Sequence, residues 1–366
     1  MRIDNLEIKN FRNLKKIEYN PSDKLNVFIG DNAQGKTNLL EALFVLATGN
    51  SFRNATDNNL INYDSEAYTI KSKYQILDRS LESMLRFDRN GLKNFTINHK
   101  KPYKNNQDRL KVVSFTPDDL FLVKGSPSKR RAFLDFLLKQ IAPDYLFNLD
   151  NYVKVLKKRN LLLKNGQTNS KTFNIVNDLF IENAIKIIIQ RVNITTLLDE
   201  TARAIYKQLN LDNYDLKIRY AMSFVVDSDK INLDVLRNAL SNDIHKKLDK
   251  EINRKKTLVG PHLDDINFYH YNRIARIYAS QGQQRNIVVC TKLAEIFVFQ
   301  KIKGYYPVFL LDEVLAELDE AKRTLLLENL AQADFQTFLT SVHFDDINVD
   351  RKSICLVKDG GLFRKG

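Results

Sequence analysis

Residues 30–43, which decide the fold, read GDNAQGKTNLLEAL. The stretch holds two glycines five residues apart, then Lys, Thr and a run of apolar residues at helical spacing. The chain uses glycine sparingly, with 12 in 366 residues, which is about half of the ~7% that is usual in proteins. The pattern G-x-x-x-x-G-K-[ST] is typical of a loop whose backbone N–H groups surround phosphate oxygens.

The segments on either side of this loop support that interpretation. KLNVFIG before it predicts a short buried strand, and Leu39, Leu40 and Leu43 after it recur at helical spacing. A strand-to-helix turn aims the positive end of the helix at an anion. Gly30 and Gly35 would remove the Cβ atoms that block such a turn and the approach of a ligand. The alternative is a glycine turn followed by a chance Lys-Thr pair.

The predicted ligand of this loop is ATP with Mg²⁺. Lys36 would bring a positive charge to the β- and γ-phosphates, and Thr37 a hydroxyl to the metal. The residues predicted to bind the nucleotide here are Gly30, Asp31, Asn32, Ala33, Gln34, Gly35, Lys36 and Thr37.

An acidic motif, PVFLLDEVLAELD, lies far along the chain from the loop. Its apolar half predicts a buried strand that ends at Asp312 and Glu313. We expect Asp312 to hold Mg²⁺, directly or through water, and Glu313 to polarise the attacking water. Lys36 and Glu313 are therefore the predicted catalytic residues. The alternative for this motif is an acidic helix cap.

The stretch YASQGQQRNIVV predicts a second helix start at which an anion can bind. Ser280 and the backbone around Gly282 and Gln283 would supply the donors. One γ-phosphate rarely needs two such ends from a single chain, and in ATP-binding-cassette ATPases the second end comes from another subunit. The sequence therefore predicts a head-to-tail homodimer with ATP between the copies. Taken alone, SQGQQR is a weak signal, since Ser-x-Gly is common in turns, but it becomes strong with the glycine loop and the acidic motif on either side of it in the expected order.

The order of strands and helices predicts an α/β fold in two lobes. Residues 1–116 and 255–366 would form an ATP-binding-cassette lobe with a mixed sheet, and residues 117–254 an inserted, mostly helical lobe. Residues 66–115 read as β-hairpins, with LKVVSF at 110–115 among their strands, and IARIYAS at 274–280 reads as a strand.

The composition favours a polyanion such as nucleic acid as partner. The net charge is +13 and the pI is about 9.4, although a drift toward Lys, Asn and Ile would also explain both. No apolar run approaches the ~20 residues that span a bilayer, and the charged first residues are unlike a signal peptide. Two cysteines without a C-x-x-C pair favour a reduced, cytoplasmic protein. The five histidines show no metal-ligand spacing, which predicts that the protein has no structural zinc.

Together these motifs resemble the bacterial RecF family, recombination and repair ATPases of the SMC/Rad50-like cassette class. The resemblance covers nearly the whole chain, and it implies ATP-driven dimerisation and a weak, DNA-dependent ATPase. It also implies binding of single-stranded, gapped and junction DNA, with RecO- and RecR-like partners that help to load the RecA recombinase. The matching stretches are FRNL, GDNAQGKTNLLEAL, FTPDDLFLVKGSPSKRRAFLD, YVKVLKKRNLLLK, LVGPHLDD, SQGQQR and LLDEVLAELD.

Two positions depart from the family pattern. Leu263 stands where the family usually has Arg in GPHRDD, which leaves the role of that position open. Glu313 stands where many members have Asp, but Glu is typical of related cassette ATPases and is compatible with hydrolysis.

Histidines near two of these motifs are further candidates. His262, with Asp264 and Asp265, resembles a metal or catalytic cluster, but a turn that enters a strand is the simpler interpretation. His343 follows the apolar run TFLTSV, where cassette ATPases often place a γ-phosphate sensor.

Basic residues cluster in three stretches that contain few acids, one of them at Lys100, Lys101 and Lys104. Charge without base-reading geometry suits contact with DNA phosphates and predicts binding without sequence specificity. For each cluster the alternative is a solvated helix face, and Arg130 and Arg131 could instead pair with Asp135 or pack across the interface between the lobes. The residues predicted to bind DNA are Lys129, Arg130, Arg131, Lys157, Lys158 and Arg159.

Three rival functions make different predictions. A long-armed Rad50- or SMC-like tether would need hundreds of heptad residues between Thr37 and Asp312, and the sequence shows no sustained heptad there. A transporter ATPase subunit would carry an LSGGQ-type signature and a membrane partner. A nucleotide-bound scaffold that does not hydrolyse ATP would have the same motifs, and only ATP turnover separates it from an ATPase.

Overall fold

The computed structural model describes residues 1–103, 106–209, 215–226, 231–342 and 352–364. The chain divides into two compact units: unit 1 comprises residues 1–120 and 292–366, and unit 2 comprises residues 121–291. Unit 1 is therefore built from both ends of the chain. Within the described ranges, no helix has the length and apolar character that a membrane span requires.

The first sheet of unit 1 is mixed and almost entirely parallel. Its strands are β3 (Leu25–Ile29), β7 (Val112–Phe115), β11 (Val308–Asp312), β12 (Thr337–Ser341), β13 (Lys352–Lys358) and β14 (Gly361–Arg364). They lie in the order β14-β13-β3-β12-β11-β7, and only β14 is antiparallel to its neighbour. β3, β11 and β12 are buried along their whole length, since a parallel sheet is covered on both faces, and β11 is accordingly apolar from Val308 to Leu311.

The second sheet of unit 1 is antiparallel, in the order β2-β1-β4-β5-β6. Its strands are β1 (Arg2–Phe11), β2 (Leu14–Tyr19), β4 (Ala67–Ile76), β5 (Arg79–Asp88) and β6 (Lys93–Ile97). The hairpins predicted within residues 66–115 are confirmed for β4, β5 and β6. The prediction is wrong for LKVVSF, because β7 within it is an apolar strand that pairs in parallel with β11 in the other sheet.

Among the described residues of unit 1, two α-helices lie wholly within it, α1 (Lys36–Thr48) and α8 (Glu320–Gln332). α1 starts immediately after Gly35 and packs on β11 and β12. The carboxyl ends of β3 and β11 lie at the same edge of the parallel sheet, so the sheet presents the end of β11 beside the start of α1.

Unit 2 is mostly helical, as the sequence predicts for the inserted lobe. It contains α2 (Pro127–Ile141), α3 (Tyr145–Lys164), α4 (Lys171–Gln208), α5 (Leu233–Arg254), α6 (Ala275–Tyr278), β8 (Leu216–Ala221), β9 (Asp265–His270) and β10 (Arg273–Ile274). Helix α7 (Gln281–Lys303) begins in unit 2, and the division falls within it. The strand expected for IARIYAS is largely replaced by α6, and only its first residue belongs to β10.

The boundary between the units differs from the expected one. Residues 255–291, which the sequence assigns to the ATP-binding lobe, lie in unit 2. The reason is the antiparallel pairing of β9 with β8, together with the packing of α2 on β9. These are contacts between segments distant in sequence, which the local pattern does not contain.

Candidate nucleotide-binding site

The loop between β3 and α1 leaves no room for side chains at its two glycines. A Cβ atom at Gly30 would lie 2.3 Å from the carbonyl oxygen of Val357. A Cβ atom at Gly35 would lie 2.8 Å from Asn13 Oδ1, and φ at Gly35 is +113°, which other residues rarely adopt. The loop therefore requires both glycines, and it leads straight into the first turn of α1, whose free N–H groups attract an anion.

Lys36 lies back over this loop. Its Nζ donates to the carbonyl oxygens of Gly30 at 2.8 Å and Asp31 at 3.0 Å, and it lies 3.3 Å from Glu313 Oε1. The structure thus brings together the two predicted catalytic residues, Lys36 and Glu313. An ammonium group fixed over a concave loop is a charge to which a phosphate can bind.

Thr37 and Asp312, the two predicted Mg²⁺ ligands, meet at the end of β11. The hydroxyl groups of Thr37 and Thr340 donate to the same oxygen, Asp312 Oδ1, at 2.9 Å and 2.8 Å. Burial raises the pKa of Asp312, which marks a carboxylate whose charge has lost much of its hydration. Because Mg²⁺ prefers oxygen ligands such as carboxylates and would compensate that loss, the residues present fit this metal.

Glu313 follows Asp312 in an unusual backbone conformation. Its φ is +49°, uncommon for a residue with a side chain, and its N–H donates to Thr340 Oγ1 at 2.9 Å. The bend ends β11 and leaves the carboxylate of Glu313 37% exposed. Glu313 lines a pocket that Lys36 and Thr37 also line. A partly exposed carboxylate next to Asp312, one of the predicted Mg²⁺ ligands, is able to accept a proton from water.

The remaining predicted loop residues take different positions. Asn32 and Ala33 line the pocket, and Asp31 contributes the carbonyl that holds Lys36. The side chain of Gln34 has another task, since its Oε1 accepts a hydrogen bond from the N–H of Asp359 at 2.6 Å.

Three residues that the motifs do not predict also line this pocket: Asn13, Asn38 and Arg53. Asn38 Nδ2 donates to Asn13 Oδ1 at 2.8 Å, and Arg53 Nη1 donates to Asn38 Oδ1 at 3.1 Å. Asn13 belongs to FRNL, one of the family-like stretches, so a signal for it existed. Arg53 has no local signal, because its position depends on how the chain folds back after α1.

The SQGQQR turn, in unit 2, forms the predicted helix start. Ser280 N donates to Gln283 Oε1 at 2.9 Å, and Gln283 N donates to Ser280 Oγ at 3.3 Å, which together make a capping box. In this arrangement the Ser280 hydroxyl accepts a hydrogen bond and keeps its own proton for an outside acceptor. At Gly282, φ lies outside the left-handed region, and a Cβ would meet no described atom within 4 Å.

The basic residues predicted to bind DNA divide into two groups. Lys129, Lys157 and Lys158 are exposed. Arg131 is half-buried, and its Nη1 donates to the carbonyl oxygen of Asp264 at 2.8 Å. Lys104 lies outside the described residues.

Arg130 and Arg159 must be removed from the predicted DNA surface because both are buried. Arg130 forms two hydrogen bonds with the carboxylate of Asp265, at 2.7 Å and 2.8 Å, rather than pairing with Asp135. Arg159 pairs with the buried carboxylate of Glu251 at 2.7 Å. A buried arginine that is bonded to a carboxylate of its own unit is not available to phosphates, and removing either partner would leave an unpaired buried charge.

The GPHLDD turn is held by hydrogen bonds to its own unit. His262 Nδ1 lies 2.6 Å from Tyr152 Oη, and the Asp264 carboxylate accepts from Tyr220 Oη and Ser223 N, both at 2.7 Å. These partners favour the structural interpretation of the turn over a metal or catalytic cluster. Leu263, at the position where the family usually has Arg, is 46% exposed. His343 lies outside the described residues.

Replacing His262 with Gln should flatten the loss of stability at acidic pH. Burial lowers the pKa of His262 to about 4. Between pH ~6.5 and about 4, His262 is therefore protonated in the unfolded chain but neutral in the folded chain. Unfolding free energy is therefore lost as the pH falls from about 6.5 to 4, by up to ~3 kcal/mol for this group. Chemical denaturation of both proteins at pH 7.5 and 4.5 measures the difference. Equal pH dependence would contradict this account of His262.

Comparison with known proteins assigns the chain to a family. Residues 2–359 match the family described as RecF/RecN/SMC N terminal domain. The chain is 41% identical over 354 residues to the DNA replication and repair protein RecF of Bacillus cereus (strain G9842), a match that covers 95% of this chain and 93% of that protein.

Two solved structures agree with this match. The recombination mediator protein RecF-ATPrS in the RecFOR pathway has a TM-score of 0.89 at 30% identity, and the RecF-ATP structure has a TM-score of 0.88 at 30% identity. Each comparison covers 100% of this chain and 98% of the other. The predicted α/β cassette-type fold is thereby confirmed, and the chain belongs to the RecF family.

Proposed function

We propose that this chain is a DNA replication and repair protein that binds ATP with Mg²⁺ and pairs with a second copy around the nucleotide. In the ATP-bound state the pair would hold DNA. The observation that carries the proposal is the convergence of Lys36, Thr37 and Asp312 on one glycine-bounded loop. Comparison supports the ATP-binding part of the proposal, because a solved structure of the same family is described as RecF-ATP.

Each residue of the site has a proposed role toward the nucleotide that follows from its chemistry. The N–H groups of the loop and the first turn of α1 bind phosphate oxygens, and Lys36 adds a charge at the β- and γ-phosphates. Thr37 and Asp312 would hold Mg²⁺, which supplies charge neutralisation at the phosphates when bound. Glu313 would take the proton of the attacking water, so slow hydrolysis belongs to this proposal.

The second part of the proposal, the ATP-bound homodimer, rests on Ser280 and Gly282. The Ser280 hydroxyl retains a proton to donate, and nothing in the described chain explains why position 282 should lack a side chain. Alanine at such a position would favour the helix. A close approach by the γ-phosphate of a nucleotide bound to another copy would explain a glycine there. The start of α7 in this chain would then complete the anion site of that copy.

The proposed function predicts a nucleotide-dependent association. Sedimentation velocity of the protein with no nucleotide, with Mg²⁺-ADP and with a slowly hydrolysed ATP analogue in Mg²⁺ should show dimers only in the last sample. A gapped duplex should co-sediment with those dimers. Dimers that are equally abundant in all three samples, or none at any concentration, would refute the ATP sandwich.

DNA binding is proposed through the exposed lysines of unit 2. Lys157 and Lys158 lie on α3 with Lys154 and Lys164, which are also exposed. Lys154 precedes Lys157 by three residues and Lys158 by four, and Lys164 follows Lys157 by seven, spacings that favour one side of a helix. A row of ammonium groups with no base-reading geometry suits phosphate contact at single-stranded, gapped or junction DNA.

Replacing Lys129, Lys157 and Lys158 together with Ala should weaken DNA binding and reduce its salt dependence. The slope of log affinity against log salt should fall by up to about 2.7 on duplex DNA, at ~0.9 for each phosphate that the variant no longer neutralises. Fluorescence anisotropy between 50 and 200 mM salt, concentrations over which phosphate binding changes strongly, measures this slope. The control is the replacement of the exposed residues Lys139, Lys186 and Lys246 with Ala, which changes the net charge equally. Equal slopes in the two variants would remove these three lysines from the DNA surface.

The remaining partners are proposed by membership of the family. A neighbouring structure is described as belonging to the RecFOR pathway, and we infer from this that RecO- and RecR-like mediators act with the present chain in loading a RecA-type recombinase. A function on chromosomal DNA with ATP would take place in the cytoplasm.

A further inference from the structure

The strand pairing of the parallel sheet brings residues 30–35, here called the phosphate loop, against the hairpin that β13 and β14 form. β13 lies beside β3 in register, with Cys355 opposite Phe28 and Leu356 opposite Ile29. The next residue is Val357, and a Cβ atom added at Gly30 would lie only 2.3 Å from its carbonyl oxygen. The first residue of the loop is thus fixed by a strand more than 300 residues later.

The turn between β13 and β14 is bonded to the middle of the same loop. Asp359 N donates to Gln34 Oε1 at 2.6 Å, and Gly360 N donates to the carbonyl oxygen of Gln34 at 3.2 Å. Both turn residues have positive φ, +50° at Asp359 and +72° at Gly360. This conformation points two consecutive N–H groups at one loop residue.

Gly360 also packs against the opposite side of the site through Asn13. A Cβ at Gly360 would lie 2.2 Å from the carbonyl oxygen of Asn13. The side chain of Asn13 in turn lies against Gly35, and its Nδ2 donates to the carbonyl oxygen of Ala33 at 3.2 Å. Any side chain at position 360 would therefore displace Asn13, and Asn13 would displace the loop.

We propose that the β13–β14 hairpin positions the phosphate loop for nucleotide, with Gly360 as the positioning residue and Gln34 and Asn13 as the two connections. A phosphate site depends on several N–H groups that converge before the ligand arrives, because ordering them afterwards costs free energy. The inference rests on the proposed function only in taking a nucleotide as the ligand, and not on dimerisation.

The test compares Gly360→Ala with Gly91→Ala. Gly91 also has positive φ, +85°, in a hairpin turn of unit 1, but a Cβ there meets no described atom within 4 Å. Both variants place Ala at a positive φ, and only Gly360→Ala also carries the clash. We expect faster hydrogen exchange of residues 30–35 without nucleotide in Gly360→Ala alone, and at least a tenfold loss of affinity for Mg²⁺-ATP in dilute, monomeric protein.

Each result has a defined consequence. Unchanged exchange of residues 30–35 in a folded Gly360→Ala protein would overturn the inference. If that variant does not fold, Gln34→Ala removes the acceptor of Asp359 N–H, and it should raise the exchange of the loop while the melting temperature without nucleotide stays within about 2 °C. No change in loop exchange for Gln34→Ala would then overturn it. If the wild-type chain binds no ATP while loop exchange still rises in the variants, the proposed function fails and the positioning role of the hairpin stands.

Discussion

Replacing Lys36 with Ala is expected to abolish ATP-dependent dimerisation and to weaken ATP binding about 10- to 100-fold. The ammonium group donates to two backbone carbonyls at the start of α1 and lies 3.3 Å from the carboxylate of Glu313. A charged hydrogen bond to phosphate is worth ~1.5–3 kcal/mol, and ~1.4 kcal/mol corresponds to a tenfold change in affinity. Titration with a fluorescent ATP analogue gives the affinity, and sedimentation velocity gives the dimer.

The control for this variant is Lys24→Ala. Lys24 makes the same kinds of contact, since its Nζ donates to the carbonyl oxygen of Ala333 at 2.7 Å and to Asp334 at 3.0 Å, but it does not line the pocket. Lys24→Ala should bind ATP and dimerise as the wild-type chain does. Dimers that persist unchanged in Lys36→Ala would refute the assignment of the phosphate loop to the dimer interface.

Replacing Gly282 with Ala is expected to change stability and function in opposite directions. Alanine is a better helix former than glycine by up to ~1 kcal/mol, and position 282 has space for its methyl group in the described chain. The isolated protein should therefore be as stable as the wild type, or slightly more stable. The added methyl group would occupy the space that the proposed γ-phosphate of a second copy needs, so ATP-dependent dimers should be lost.

This pair of opposite signs separates the functional role of Gly282 from a structural one. Thermal unfolding without nucleotide and sedimentation with an ATP analogue are measured on the same preparation. ATP affinity of the dilute monomer should remain within about twofold of wild type, because the phosphate loop is untouched. A Gly282→Ala protein that dimerises normally would show that the glycine is there for some other reason.

The nucleotide loop is the part of the molecule that the sequence predicts best. Its chemistry is local: Gly30, Gly35, Lys36 and Thr37 are fixed by spacing along a few residues, and the strand and helix around them follow from periodicity. Asp312 Oδ1 lies 2.9 Å from Thr37 Oγ1 although 275 positions separate the two residues. Only the general pairing of a G-x-x-x-x-G-K-[ST] loop with an apolar strand that ends in acids makes that contact predictable.

What the sequence does not predict depends on which distant segments meet. Arg130 and Arg159 look like their lysine neighbours in a basic run, but the burial of each follows from an acidic partner far along the chain, Asp265 or Glu251. The local pattern of β7 predicts a strand but not the strand it pairs with. Arg53 lines the pocket because the chain folds back after α1, so neither residue spacing nor composition predicts its position there.

A mixing experiment tests the shared ATP site most directly. In the proposed pair, each site takes its phosphate loop from one copy and its Ser280 turn from the other. Chains with Lys36→Ala and chains with Gly282→Ala would each be monomeric with an ATP analogue, but a heterodimer of the two retains one intact site. Sedimentation of the equimolar mixture, with one variant fluorescently labelled, should therefore show ATP-dependent heterodimers that neither variant forms alone. A mixture that stays monomeric at concentrations where the wild-type chain is fully dimeric would contradict the account.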